Sequence, residues 1–226
     1  MTSTPLRPHA ESIRVELPPV RRRPHRVTKR VVDVVVAALL IVALLPLALI
    51  TALAVRLDSR GPVLYRQKRT GYRGHPFLLW KFRTMRHATG QTALLPEHDM
   101  RNLFMTSERD VRITRAGRFL RRSRLDELPQ IINIIRGEMS WIGPRPEADA
   151  LSRWYEREIP FYRYRHVVRP GLSGWAQVNQ GHVTDIADVL KKLSYDFFYI
   201  SRFTPWIDML IVLRTIKTVL TGFGSR

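Results

Sequence analysis

The sequence contains no cysteine among its 226 residues. That excludes a disulfide framework and a thiolate metal site, leaving carboxylates, His, Ser or Lys as the groups on which catalysis could rest. Acidic residues are scarce as well: 19 Asp and Glu stand against 38 Lys and Arg, a formal charge of +19. Such an excess implies an anionic partner, whether nucleic acid, phospholipid headgroups or a phosphorylated substrate. The seven His residues are scattered without metal-ligand spacing, and no Gly-rich P-loop or dinucleotide fingerprint occurs. Zinc, ATP-driven and redox chemistry are thereby set aside. There is no internal repeat or low-complexity tract, and the length accommodates one domain with appendages rather than two.

What the chain does have is one long run without charge. Val34 to Val55 is 22 uncharged residues, about 33 Å as a helix, enough to cross a bilayer core. It starts too late and runs too long for a cleaved signal peptide. Residues 1–28, with five prolines and the run Arg21, Arg22, Arg23, Arg26, read as a disordered basic tail. Basic residues flank the apolar run on both sides, Lys29 and Arg30 before it and Arg56, Arg60, Arg66, Lys68 and Arg69 after it. The positive-inside tendency therefore draws both ends to the cytoplasmic side. Pro46, near the middle, removes a helical hydrogen bond and could turn the chain back. A re-entrant helix broken at Pro46 fits better than a span; an ordinary transmembrane helix with a tolerated proline is the alternative.

Beyond the apolar run, Val63–Arg69 and Pro76–Arg83 read as a small hairpin, and Phe119–Arg136 carries helical periodicity that stops at Gly137. Pro129 suits only a first helical turn, which starts that helix near Asp126. Residues 87–110 have no clear period, and 185–201 reads as a helix. In the C-terminal stripe Met209, Leu213, Ile216 and Leu220 lie opposite Arg214, Lys217, Thr218 and Thr221. That pattern suits an interfacial amphipathic helix or a helix packed on the protein's own core. The aromatic stretch from Trp154 to Tyr164 is a candidate surface for homodimer formation.

Asp126 and Glu127 are adjacent acids at the start of the predicted helix, preceded by Arg118, Arg121, Arg122 and Arg124. An Asp there can simply cap the helix. The surrounding positive charge and the helix dipole would keep both acids ionised, so one could attack phosphorus while the other holds Mg²⁺ or accepts a proton. A glycosidase reading fails, because it needs two carboxylates flanking a bond about 5–9.5 Å apart, and sequence neighbours diverge. Gly143-Pro144-Arg145-Pro146 is a rigid turn that displays one arginine suited to a diphosphate, or a plain loop. Lys81 and Arg83 alternate with Trp80 and Phe82, so both could reach one anion from one strand face, or guard an exposed edge.

Read in order, several segments resemble the bacterial sugar transferase family, the monotopic polyprenyl-phosphate phosphoglycosyl transferases. They are Lys29-Arg30-Val31-Val32-Asp33, Ser59-Arg60-Gly61-Pro62-Val63, Arg66-Gln67, Lys81-Phe82-Arg83-Thr84-Met85, Asp126-Glu127-Leu128-Pro129-Gln130, Gly143-Pro144-Arg145-Pro146, Arg169-Pro170-Gly171 and Gly174-Trp175-Ala176-Gln177-Val178-Asn179. The resemblance implies transfer of a sugar phosphate from a UDP-sugar to undecaprenyl phosphate with release of UMP. Asp126 would carry the covalent phosphosugar and hold Mg²⁺, Glu127 would assist the lipid phosphate, and Arg121 and Arg145 would contact phosphate or nucleotide. Lys81 and Arg83 complete the expected substrate-binding set. The expected fold is α/β and mostly helical, with a basic tail over 1–28, a re-entrant helix over 29–57 and a cytoplasmic catalytic domain over 58–226. The implied setting is the cytoplasmic face of a bacterial inner membrane rich in anionic phospholipid, at the first membrane step of exopolysaccharide or glycoconjugate assembly. Three positions depart from the family pattern: Leu45 before Pro46, Gln180-Gly181 after Asn179, and Arg124 at a site often small and polar. The multi-span N-terminal region of larger relatives is expected to be missing. A membrane-tethered nucleic-acid binder would account for the charge but leaves the acid pair unexplained. A non-catalytic scaffold is the third class. The sugar is not legible in the sequence.

Overall fold

The computed structural model describes residues 25–86, 110–180 and 186–221. Of the basic tail expected over 1–28, residues 1–24 lie outside them, as do the stretch 87–109 and Gly181, whereas residues 25–28 are already helical and extend the apolar helix toward the N-terminus. The fold is mostly helical with little sheet, as the sequence predicts.

Helix α1 (His25–Asp58) contains the whole apolar run. By length and composition it could cross a membrane. Its helical structure continues through Pro46, so no loop interrupts it there, and any change of direction must be a bend within one helix. One stripe of α1 rests on the rest of the protein: Asp33, Ala37, Thr51 and Val55 are buried, and Leu40, Leu44, Ala48 and Ala52 pack against interior clusters. The spacing is that of one helix face. The other face carries Val35, Leu39, Val42, Leu45, Leu49, Ile50, Leu53 and Leu57, all exposed.

Strands β1 (Leu64–Thr70) and β2 (Pro76–Phe82) form the predicted hairpin, antiparallel with Leu64 opposite Phe82 and Thr70 opposite Pro76. Phe77 and Leu79 of β2 point into the cluster that holds Ala37, Ile131, Ile134 and Met139. Helix α2 (Arg115–Arg122) is capped by Thr114, whose hydroxyl accepts from Gly117 N. Gly117 itself permits a close crossing, since a Cβ there would lie 2.1 Å from the Thr84 carbonyl oxygen. The chain then reverses at Arg124, which has φ 60°, into a 3₁₀ turn over Leu125–Glu127. Helix α3 (Gln130–Arg136) follows and ends at Gly137 in the left-handed conformation. The periodic stretch 119–136 is thus two helices separated by a turn, and the acids precede α3 instead of opening it.

A second small sheet was not foreseen: β3 (Ser140–Ile142) and β4 (Gly171–Ser173) pair in parallel. Between them lie α4 (Asp149–Glu158) and a 3₁₀ turn over Tyr162–Val167. Tyr155 and Tyr162 are buried with Leu151, Ile159, Val189 and Leu193, and Trp154 packs against them. Tyr155 and Tyr162 of the aromatic run are therefore core, while Phe161, 38% exposed and stacked on Tyr164, is the part of the expected dimer surface that faces outward. Short α5 (Trp175–Asn179) leads to α6 (Ile186–Ser201) and α7 (Pro205–Thr221). Of the two readings open for α7, the outward one holds: Ile211 is buried, while Trp206, Met209, Leu213 and Ile216 are exposed.

Candidate active site

The acid pair sits where β2, the turn after α2 and the 143–146 loop meet. Asn133 of α3 fixes the approach of β2: its Oδ1 accepts from Trp80 N at 3.1 Å and its Nδ2 donates to Leu78 O at 2.7 Å. A fully buried side chain thus acts as one more rung along the strand. That clamp sets Lys81 over the turn, where its Nζ lies 3.0 Å from Glu127 Oε1 and 3.8 Å from Asp126 Oδ2. From the other side Arg145 grips Glu127 with both terminal nitrogens, at 2.5 Å to Oε1 and 3.4 Å to Oε2.

The two neighbouring carboxylates are therefore unlike. Burial alone would raise Glu127, but Arg145 and Lys81 overcome it and hold the carboxyl well below the usual range. For Asp126 burial prevails and pushes the carboxyl up, against the pull of Lys81 and with help from the Glu127 charge. The acids lie in a 3₁₀ turn directly ahead of α3, not in its first turn. Asp126 is only 7% exposed, so its charge depends on the cations around it.

Arg121 donates from Nε to Thr84 Oγ1 at 3.0 Å and lies close enough to lower the Asp126 carboxyl. Lys81, Arg121 and Arg145 against two carboxylates leave an excess of positive charge, suited to a further anion. Arg83 does not join them. Its guanidinium turns to the end of α1, donating to Val55 O, Ser59 O, Ser59 Oγ and Pro62 O. It lies beyond the end of β2, where the strand alternation that placed it beside Lys81 no longer governs it, and the carbonyls ending α1 need a donor.

Behind Arg145 stands a support the sequence reading missed. Arg165 Nη2 donates to Arg145 O at 3.0 Å, and Arg165 is itself ion-paired with Asp196 of α6 at 2.7 Å, both side chains 2% exposed. Arg69 Nη1 donates to Pro146 O, and Lys192 pairs with Glu147, so the loop is held along its length. A signal existed: Asp196 falls on the same helical stripe as apolar Val189 and Leu193, and an acid there must have a buried partner.

A family model described as bacterial sugar transferase matches residues 24–222. The chain belongs to that family. Among its relatives is a UDP-N-acetylgalactosamine-undecaprenyl-phosphate N-acetylgalactosaminephosphotransferase of Aeromonas hydrophila, 45% identical over 198 residues, which are 88% of this chain and 45% of that protein. A UDP-glucose:undecaprenyl-phosphate glucose-1-phosphate transferase of Xanthomonas campestris pv. campestris is 41% identical over 86% of this chain and 39% of its own length. The exopolysaccharide production protein PSS of Rhizobium leguminosarum bv. phaseoli is 36% identical over 86% of this chain and 96% of its own. The chain thus spans under half the length of the first two relatives. The acid pair, its cations and the outward apolar helices all lie within the family match.

Proposed function

We propose that this family member transfers a sugar phosphate from a UDP-sugar to polyprenyl phosphate, with Asp126 as nucleophile. The observation that carries the reading is the division of labour in the acid pair. Glu127 has both oxygens engaged by Arg145 and Lys81, whereas Asp126 has one long contact to Lys81 and is the carboxylate left to react. An Asp126 oxygen attacks the phosphorus that bears the sugar, the bond to the bridging oxygen breaks, and UMP leaves with that oxygen. The polyprenyl phosphate oxygen then attacks the same phosphorus, the Asp126 oxygen departs, and the carboxylate is regenerated. Lys81, Arg121 and Arg145 supply positive charge for the diphosphate, and it acts strongly because the site is buried. Glu127 serves to hold Lys81 and Arg145 in place. With its pKa depressed and both oxygens engaged, it is a weak general base in this arrangement.

The donor set also fits Mg²⁺. Among the described residues no three of His, Asp or Glu gather into a metal cluster, and Mg²⁺ is commonly held by one or two carboxylates together with substrate phosphates. Asp126 would be that carboxylate, and the ion would neutralise diphosphate charge.

The membrane arrangement belongs to the same proposal. At the start of α1, Lys29 pairs with Asp208 at 2.9 Å and Arg30 donates to Ile134 O and Ile135 O. At its end, Asp58 Oδ2 accepts from Ala116 N, and Arg83 binds Val55 O in the last turn and Ser59 O just past it. Both ends rest on one body, which favours re-entrance on the cytoplasmic face of a bacterial inner membrane over a straight span. Because the chain has no native cysteine, Val27→Cys and Leu57→Cys test this cleanly; labelling of the two from opposite faces of sealed vesicles would refute re-entrance.

The reaction is tested by incubating purified protein with radiolabelled UDP-sugars and no lipid acceptor. Label retained on the chain with stoichiometric UMP, and absent in Asp126→Asn, is the expected result. Release of UDP, or equal labelling of the variant, would overturn the proposal.

A further inference from the structure

A second basic cavity lies apart from the acid pair; none of Asp126, Glu127, Lys81, Arg121 or Arg145 lines it. It opens between the start of α1, the turn at Tyr72 and strand β3, and is lined by Lys29, Arg30, Asp33, Tyr72, Ser140 and Arg169 among others. The cavity volume is about 50 Å³, room for several waters or one phosphate group.

Its polar groups are incompletely matched. Ser140 is 2% exposed, and its hydroxyl has no hydrogen-bond partner among the described residues. Arg169 donates only from Nε, to Gly137 O at 2.8 Å, and lies over the Tyr72 ring; its terminal nitrogens have no hydrogen bond among the described residues. Arg30 is tied to the last carbonyls of α3, and burial, then the nearby Arg169 charge, pulls its pKa down. Asp33 offers only partial compensation, since its Oδ1 already accepts from Trp141 N at 3.3 Å, and Lys29 is paired with Asp208. Two close guanidiniums, an orphan hydroxyl and a small void make a site short of one anion.

Position selects the source of that anion. Lys29 and Arg30 immediately precede the apolar residues of α1, and exposed Trp206 of α7 begins just after Phe203, another lining residue. Aromatic and basic residues at the edge of an apolar surface mark headgroup depth. We propose that this cavity binds the phosphate of an anionic membrane phospholipid, with Arg169 and Arg30 as cations and Ser140 as hydroxyl donor. The site would tie the start of α1 and the start of α7 to the same headgroup layer.

The test is retention of phosphatidylglycerol by the detergent-purified full chain, counted by native mass spectrometry during a lipid titration. One molecule should be retained by the parent, about tenfold more weakly by Arg169→Gln and several-fold more weakly by Ser140→Ala. Arg60→Gln removes the same charge at the far end of α1 and should behave as the parent. Ser140→Ala, which removes only an unpartnered hydroxyl, keeps the test decisive if Arg169→Gln fails to fold. Equal weakening in Arg60→Gln, or no change in Ser140→Ala, would overturn the site as mere surface charge. Retention of inorganic phosphate at one site by the parent, with no phosphatidylglycerol retained, would assign the cavity to a soluble anion and overturn the lipid proposal.

Discussion

Helix α1 and the lobe behind Arg145 have opposite insides and outsides. On α1 the large apolar residues face out, with Val42 75% and Leu57 77% exposed. In the lobe formed by α4, the Tyr162–Val167 turn and α6, the aromatics lie inside, together with an ion pair between Arg165 and Asp196. An apolar face of that extent marks a surface for lipid or a protein partner, and the length of the run matches a bilayer core. The second follows the rules of a water-soluble core but accepts the desolvation cost of two charges, and the Arg165 to Arg145 hydrogen bond shows what the pair holds in place. One region turns its apolar side chains outward, and the other places one arginine against Glu127.

The largest expected effect comes from neither region but from the carboxylate between them. Asp126→Asn should lower turnover by about 10,000-fold or more, as removal of a nucleophile does, with little change in thermal unfolding. Next comes the lobe. Asp196→Ala leaves Arg165 buried and unpaired, which should cost about 3–5 kcal/mol in denaturant unfolding. If Arg165 also positions Arg145, Asp196→Asn, which retains an acceptor, should lose less stability yet still raise KM for the UDP-sugar. An unchanged KM would confine the pair to a structural role. On α1, Val42→Lys should cost about 2.5–3.5 kcal/mol of membrane insertion, read as a shift to the soluble fraction. The same change in a helix that faced water would be almost silent.

Much of the outward apolar surface was legible in the sequence, because the length of the α1 run and the stripe of α7 depend on local composition. The hairpin was legible for the same reason, from strand-forming runs around Gly71 and Gly74. Asp126, Glu127, Lys81, Arg121 and Arg145 also come together as the resemblance implied. What escaped was set by packing at long range. Arg83 was placed by strand alternation, yet the carbonyls at the end of α1 took it. Tyr155 and Tyr162 looked like a surface until α6 covered them. Asn133 and Arg165 act through partners about fifty residues and about thirty residues away in sequence, and no local pattern announces that. The turn before α3 was missed because Leu128, Ile131 and Ile135 keep helical spacing across it.

The smallest predicted effect separates the two acids most directly. Burial raises Asp126, and Lys81 is the first charge opposing that rise. If the ionised Asp126 is the nucleophile, activity must fall as pH drops through its raised pKa, above the range of a free aspartate. Lys81→Gln removes the opposing charge, so the acidic limb of the kcat/KM profile should move to higher pH. Arg145→Gln acts first on Glu127, for which Arg145 is the leading stabilising charge, and only secondarily on Asp126. Its limb should therefore move less, even where its KM rises more. A limb that moved further in Arg145→Gln than in Lys81→Gln would mean that the titrating group is Glu127, and the roles given to the two carboxylates would have to be exchanged.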